Sequence, residues 1–361
     1  MFADFPIILF TLFFLCFIFS LLINHILIKF AQTLGVRNKE ENQIRWNPNV
    51  KPAMGGISFY LIFLIDFIFI LFLPHENLGF NIQILGILVA STLAFLMGLA
   101  DDAYNTQPLL KFLTQVFCAF IIIFSNHSIT IFQNQYLNYF VTVLWVVGVM
   151  NSINMLDNMD GITTIICIVI SMFIISINIS LKYTDNYITV LNVGVLGAMI
   201  GFLIYNFHPS KMFMGDTGSQ FLGLFFSVMG INNCWNSTGN LSNLKFPYIN
   251  MLIVLLVFLI PITDTFTVVF NRIRAGNSPF IGGKDHTTHH LFFRGITEKR
   301  IAILYFLIAS IGSILAYLLI VDFSEFLFFA AITYVIVVFC VLFLNTIIKK
   351  SNSKQKINRD N

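Results

Sequence analysis

The stretch FVTVLWVVGVMNSINMLDNMDGITTIICIVISMFIISI, residues 140–177, decides the fold. It holds two apolar runs, predicted to be helices near 137–155 and 161–181. Each matches the roughly 20 residues that a helix needs to cross a bilayer core. At the junction Asn151, Asn154, Asp157 and Asp160 recur every three residues. On a helix that spacing makes a slowly rotating polar stripe. A stripe between two spans cannot face lipid, where polar groups are costly. A helix cap needs one such residue, not four. Hydrogen bonding to a nucleobase or sugar, or ligation of a metal, fits the run better.

The same apolar pattern extends in both directions. Of 361 residues, 57% are hydrophobic and 10% charged, against roughly 25% charged in a soluble domain. This composition predicts an all-α, polytopic membrane bundle of ten to eleven transmembrane helices. Eleven spans are predicted, near 5–29, 53–73, 82–100, 109–125, 137–155, 161–181, 187–206, 219–234, 247–271, 301–320 and 323–347. The first is too long for the apolar core of a signal peptide and lacks a basic leader, so it is expected to be retained. The chain is expected to form one integral-membrane domain, 1–348, followed by a basic tail, 349–361. The five cysteines are scattered without a CxxC pair, which argues against a disulfide framework or a zinc site. The net charge of +3 is too small to imply nucleic acid.

Lysine and arginine set the expected orientation. With the N-terminus outside, every one of the 20 basic residues except Lys182 and Lys245 falls inside. That puts the C-terminus in the cytoplasm, in a plasma (inner) membrane. The tail KKSNSKQKINRDN reads as a solvated anchor at an anionic leaflet.

The polar segments gather on that inner side. KPAMGG (51–56) opens the second span, where two glycines would let backbone amides approach an anion beside Lys51. GLADD (98–102) ends the third span with Asp101 and Asp102. Adjacent acids there repel each other and oppose the helix dipole, and carboxylates combined with substrate phosphates suit Mg²⁺. In FHPSKMFMGDTGS (207–219), Asp216 sits between two glycines at a helix start, a natural phosphate site. Asp264 lies inside the ninth span, two turns before Arg272, as a candidate structural pair. KDHTTHHLFFRG (284–295) brings His286, His289 and His290 within five residues. Asp66, in the second span, matches no motif and reads as a helix–helix polar contact.

Taken in order, KPAMGG, GLADD, NSINMLDNMDG, FMGDTGS and the PITDT…KDHTTHH block resemble the polyprenyl-phosphate N-acetylhexosamine-1-phosphate transferases, of glycosyltransferase family 4 type. The resemblance covers about residues 30 to 300. That family includes the phospho-N-acetylmuramoyl-pentapeptide transferase and the UDP-GlcNAc:undecaprenyl-phosphate GlcNAc-1-phosphate transferases. The resemblance implies Mg²⁺-dependent transfer at the cytoplasmic face, with Mn²⁺ as a substitute. The phosphate of undecaprenyl phosphate attacks a UDP-N-acetylhexosamine, UMP leaves, and a polyprenyl-diphospho-sugar forms to initiate cell-envelope polysaccharide. Partners are then those two substrates and the bilayer, with room for a homodimer. By motif position, Asp216 resembles the metal ligand. Asp101 and Asp102 resemble the acids near the lipid phosphate, with Asp101 the candidate base and Asp102 a second candidate ligand. Asn151, Asn154, Asp157 and Asp160 match the stripe that lines the nucleotide site. Lys51 and Lys111 match basic residues near phosphates. His289 and His290 match the histidine motif on the diphosphate side, and His286 beside them is a further substrate-binding candidate.

Two departures bear on the sugar. The stripe reads DNMDG where pentapeptide-type enzymes read DGLDG, and the histidine block reads HTTHH rather than HHH or HxHH. Both point toward a smaller sugar, GlcNAc first. The alternatives are UDP-MurNAc-pentapeptide or another UDP-N-acetyl sugar. A rival of another class is a secondary ion or anion transporter. Transporters, however, hold their ions near the midplane on broken, repeated helices, and no repeat is visible here.

Overall fold

The computed structural model describes residues 5–34, 51–72, 81–182, 187–237, 249–278 and 283–347. The basic tail, Lys245, and Arg37, Lys39 and Arg45 of the first charged loop lie outside the described residues. Each predicted span is helical. The order is α1 (Phe5–Leu34), α2 (Gly55–Phe72), α3 (Ile82–Tyr104), α4 (Pro108–Phe124), α5 (Gln135–Leu156), α6 (Ile162–Ser180) and α7 (Tyr187–Asn206). Then come α8 (Gly215–Gly230), α9 (Ile249–Val257), α10 (Leu259–Arg274), the short α11 (Thr287–Phe293), α12 (Glu298–Val321) and α13 (Glu325–Ile347). A π-helical turn, Ile231–Trp235, prolongs α8. Among the described residues eight helices are long and apolar enough to cross a membrane alone, and α9 with α10 makes a ninth if the bent pair is one span. The fourth and eighth candidates, α4 and α8, have 17 and 16 residues.

The ninth span differs from its expected single helix. It breaks into α9 and α10 with a bend of 81°. Pro261 explains the position of the break. Proline lacks a backbone N–H, and its ring meets the carbonyl four residues earlier, here that of Val257, the last residue of α9.

Burial runs inside-out relative to a soluble protein. The apolar windows of α6 and α7 are 78% and 83% buried, while those of α1 and α13 are 22% and 17% buried and show their Phe, Leu, Ile and Val side chains outward. Lipid is as apolar as leucine, so such helices associate through close packing and hydrogen bonds. α8 is the axis, packed against α2, α3 and α5. On α3, a Cβ at Gly98 would lie 2.3 Å from the Asp216 carbonyl oxygen, so only glycine lets α3 come this near the start of α8. Polar ties supplement the packing. Trp145 Nε1 donates to the Ser227 carbonyl at 2.9 Å, and Ser20 Oγ to the Ala198 carbonyl at 2.7 Å. Asp66 is the expected helix–helix contact: fully buried, it accepts from Cys16 Sγ at 3.2 Å and packs against Gly194 of α7.

Candidate active site

The site is built first on the α3–α4 corner. Asn105, in the left-handed region at φ 52, caps α3, and its N–H donates to the Asp101 carbonyl. Pro108 starts α4 at a position where a missing N–H does no harm. The tight turn folds Lys111 back onto Asp101. Thr106 donates to Asp101 Oδ1 through its N–H at 2.9 Å and its hydroxyl at 2.6 Å. Lys111 Nζ then reaches Asp101 Oδ2 at 3.0 Å, Asp216 Oδ1 at 3.2 Å and Asn154 Oδ1 at 3.2 Å. One ammonium therefore joins α3, α4, α5 and α8. Asn154 Nδ2 donates to Asp216 Oδ1 and to Ser219 Oγ.

Asp102, next to Asp101, points into the start of α8. Its Oδ1 accepts from the Asp216 N–H at 3.0 Å. Its Oδ2 accepts from the Thr217 N–H at 2.9 Å and the Thr217 hydroxyl at 2.6 Å. Gly215, at φ +73, permits this approach, since a Cβ there would sit 2.6 Å from Asp102 Oδ2. This corrects one expectation. The α8 N-terminus, read as a phosphate cradle, gives these amides to Asp102. Asp102, expected as a catalytic residue and metal ligand, has both oxygens bonded to the start of α8, which fixes the backbone that carries Asp216. The KPAMGG amides are likewise engaged. Gly55 and Gly56 donate to the Phe213 and Met214 carbonyls at 3.0 and 2.9 Å. They zip that loop to the FMGD loop instead of facing an anion.

The stripe divides into separate tasks. Asn151 lies one layer below, bonded to Gln115 (Nδ2 to Oε1, 2.7 Å) and to the Val147 carbonyl. Asn154 belongs to the Lys111 hub. Asp157 lies near the Asp216 and Asp102 carboxylates; burial first, and then those charges, push its carboxyl up to about 7. Asp160 is buried and fully bonded. It accepts from the Ser210 hydroxyl at 2.7 Å and the Ser210 N–H at 2.9 Å, with Lys51 Nζ at 3.5 Å and His208 Nδ1 at 3.2 Å. His208 Nδ1 also lies 3.0 Å from Glu298 Oε2. Lys51 donates to Ser210 Oγ at 2.8 Å and lies over the Phe213 ring. Asp160, His208 and Glu298 each bring a ligand atom within 4.8 Å of the others, and they clasp the α5–α6 turn, the 207–213 loop and α12. His208 and Glu298 had no sequence signal beyond being titratable.

The histidine block is tied to α10. Asp264 does not pair with Arg272 as the eight-residue spacing suggested. It faces His286 Nδ1 at 2.8 Å and accepts from the Thr287 N–H at 2.8 Å. Arg272 instead grips Asp285 through two bonds of 2.6 and 2.8 Å. Burial works against the Asp285 charge, but Arg272 prevails and holds its carboxyl below the usual range. His289, buried 5.5 Å from the His286 ring, is pushed down to about 4, chiefly by burial and then by neighbouring positive charge. A neutral imidazole at that place can accept or donate a hydrogen bond near neutral pH. His290 follows on the same helix and is half-buried.

The hub fits a divalent cation by its donors. Asp101 and Asp216 lie within hydrogen-bonding reach of each other and share one ammonium, a place that calls for positive charge. With Asn154 Oδ1 the donors are all oxygen, which suits Mg²⁺ or Mn²⁺ rather than a thiolate-seeking metal. An apolar trough of about 620 Å³ runs between α5 and the bent α9–α10 pair. Trp145, Trp235, Phe258 and Pro261 line one part and Ser152, Thr265 and Ile273 another. Leu144, Met251, Phe266 and Ile273 leave it open to the lipid-facing surface. Ser152 and Asn154 lie two residues apart on different faces of α5, so the one helix borders both the trough and the acids.

Comparison with known proteins finds relatives over most of the chain. The family model for glycosyl transferase family 4 matches residues 84–233, from α3 through the π-helical turn. A probable undecaprenyl-phosphate N-acetylglucosaminyl 1-phosphate transferase of Bacillus subtilis is 28% identical over 308 residues, covering 83% of this chain and 81% of the relative. The decaprenyl-phosphate N-acetylglucosaminephosphotransferase of Mycobacterium leprae is 28% identical over 281 residues, 71% of this chain and 70% of the relative. A phospho-N-acetylmuramoyl-pentapeptide-transferase of Streptococcus agalactiae is 32% identical over 199 residues, 50% of this chain and 59% of the relative.

Proposed function

We propose, of a chain that belongs to glycosyl transferase family 4, that it transfers N-acetylglucosamine 1-phosphate from UDP-GlcNAc to undecaprenyl phosphate. The single observation that carries this reading is the Lys111 hub, a charged, oxygen-rich centre that includes Asn154 of α5. The same helix walls an apolar, lipid-facing trough, and a reaction between a water-soluble and a lipid phosphate requires both kinds of surface. The names of the Bacillus and Mycobacterium relatives support the sugar and the polyprenyl acceptor. The skew of lysine and arginine supports a cytoplasmic position for the site.

In the proposed reaction an oxygen of the lipid phosphate attacks the β-phosphorus of the UDP-sugar. The bond from that phosphorus to the bridging oxygen breaks, and UMP leaves with the oxygen. Such transfer depends on in-line placement and charge neutralisation more than on covalent chemistry. Asp216, with Asp101 and Asn154 beside it, would hold Mg²⁺, which when bound offsets the charge of the two phosphorylated substrates. Lys111 supplies a fixed positive charge and keeps Asp101 and Asp216 together. Asp102 aims Asp216 by holding the backbone of α8. His289, neutral and buried, offers a hydrogen bond toward the diphosphate side. Attack is direct, because the lipid phosphate is already a nucleophile; no phospho-enzyme step is needed.

The test is a panel of radiolabelled UDP-sugars incubated with the purified protein, undecaprenyl phosphate and Mg²⁺, with product identification. UDP-GlcNAc should label the lipid and release UMP, and a chelator should stop it. Label entering lipid only from UDP-MurNAc-pentapeptide would overturn the choice of sugar.

A further inference from the structure

The two places where this sequence leaves the pentapeptide pattern meet in space. Thr288, from HTTHH, donates its hydroxyl to Asn158 Oδ1, from DNMDG, at 2.6 Å. Thr288 is fully buried. Asn158 is held in place, because its Nδ2 donates to the Met155 carbonyl at 3.0 Å and leaves the oxygen toward α11. On the other side of α11, Thr287 is fixed by Asp264, and Tyr305 OH donates to Thr287 Oγ1 at 2.8 Å. The histidine helix is therefore slung between α10 and the stripe. A glycine at 158 could neither fill that space nor make the bond.

We propose that the Asn158–Thr288 hydrogen bond is a specificity-determining clasp. It holds the gap between the stripe and the histidine helix at a width that admits a bare N-acetylhexosamine and disfavours one carrying a peptide arm. The inference rests on the function proposed above. In that reading the nucleotide lies along the stripe and the diphosphate points to the histidines, so the sugar sits where these two walls approach. Widening the gap breaks the bond and leaves a buried hydroxyl and a carbonyl oxygen unpaired, which a compact sugar never demands. Discrimination arises from that difference between substrates, not from tighter binding of both.

The experiment compares kcat/KM for UDP-GlcNAc and UDP-MurNAc-pentapeptide in the wild type, Thr288→Val, Thr288→Ser, Asn158→Gly and the Asn158→Gly/Thr288→Val double variant. Thr288→Val keeps the shape and removes only the hydroxyl, so it reports on the bond rather than on a hole. Thr288→Val and Asn158→Gly should each lower the GlcNAc-to-pentapeptide ratio about tenfold. Thr288→Ser should restore it, and the double variant should fall no further than either single one. A wild type that ignores UDP-GlcNAc overturns the function itself. A wild type active on UDP-GlcNAc, with the ratio unchanged in Thr288→Val, overturns the clasp and leaves the function standing, whatever happens to the melting temperature.

Discussion

Asp216 and Asp160 look alike in the sequence, each an aspartate beside glycine in a polar motif, yet the structure treats them in opposite ways. Asp160 is 7% exposed and takes bonds on both oxygens from Ser210, with Lys51 and His208 alongside. Asp216 is 33% exposed, and its Oδ1 accepts from Asn154 and from Lys111, which it shares with Asp101. The contrast separates two uses of a costly charge near a membrane. A saturated carboxylate holds the framework; a crowded, accessible one is left for chemistry. Asp102 and Asp264 fall with Asp160 by this criterion, while Asp101, bonded on both oxygens yet sharing Lys111 with Asp216, stands between the two groups.

The sharpest way to break this division is Asp216→Asn. Transfer should fall about a thousandfold or more, with the protein still folded in detergent; near-normal turnover would return Asp216 to the framework group. Asp160→Asn should do the reverse. Unpairing a buried charge cluster costs about 3 kcal/mol of stability, read as a lowered melting temperature, while the residual folded enzyme keeps turning over.

Asp157 sharpens the comparison through pH. Its folded pKa is raised to about 7 from 3.8, so the folded state holds the proton more tightly than the unfolded chain. The stability this gives is complete in acid and is lost as pH rises through the folded value. With a chelator present, the wild type should lose melting temperature between about pH 4 and 7, and Asp157→Asn should not; parallel curves would show that Asp157 is solvated. The smallest effect belongs to Asp66→Asn. Asp66 has one oxygen on Cys16 and the other without a partner. Turnover should be unchanged and stability should move by about 1 kcal/mol; a folded but inactive variant would extend the site into the second span.

The helical bundle was legible because periodic apolar runs and the membrane's thickness leave few alternatives. The gathering of GLADD, the stripe, FMGDTGS and the histidine block was legible because polar segments at helix ends share a surface. What could not be read was which partner each polar group takes. Asp264 lies two turns before Arg272, but the chain returns through Asp285 and His286, and no helical spacing reports a returning loop. Gly55 and Gly56 resembled an anion nest because a glycine's freedom does not reveal what its amide faces. Glu298 is one acid in GITEKR, unmarked until α12 brings it beside His208. Pro261 was legible in principle, since a proline four residues after Val257 announces a broken helix, but the unbroken apolar run masked it.

That break has a consequence for how the protein meets its acceptor. One absent amide hydrogen folds a span aside and leaves a greasy recess in the bundle's flank, open sideways to lipid rather than to water.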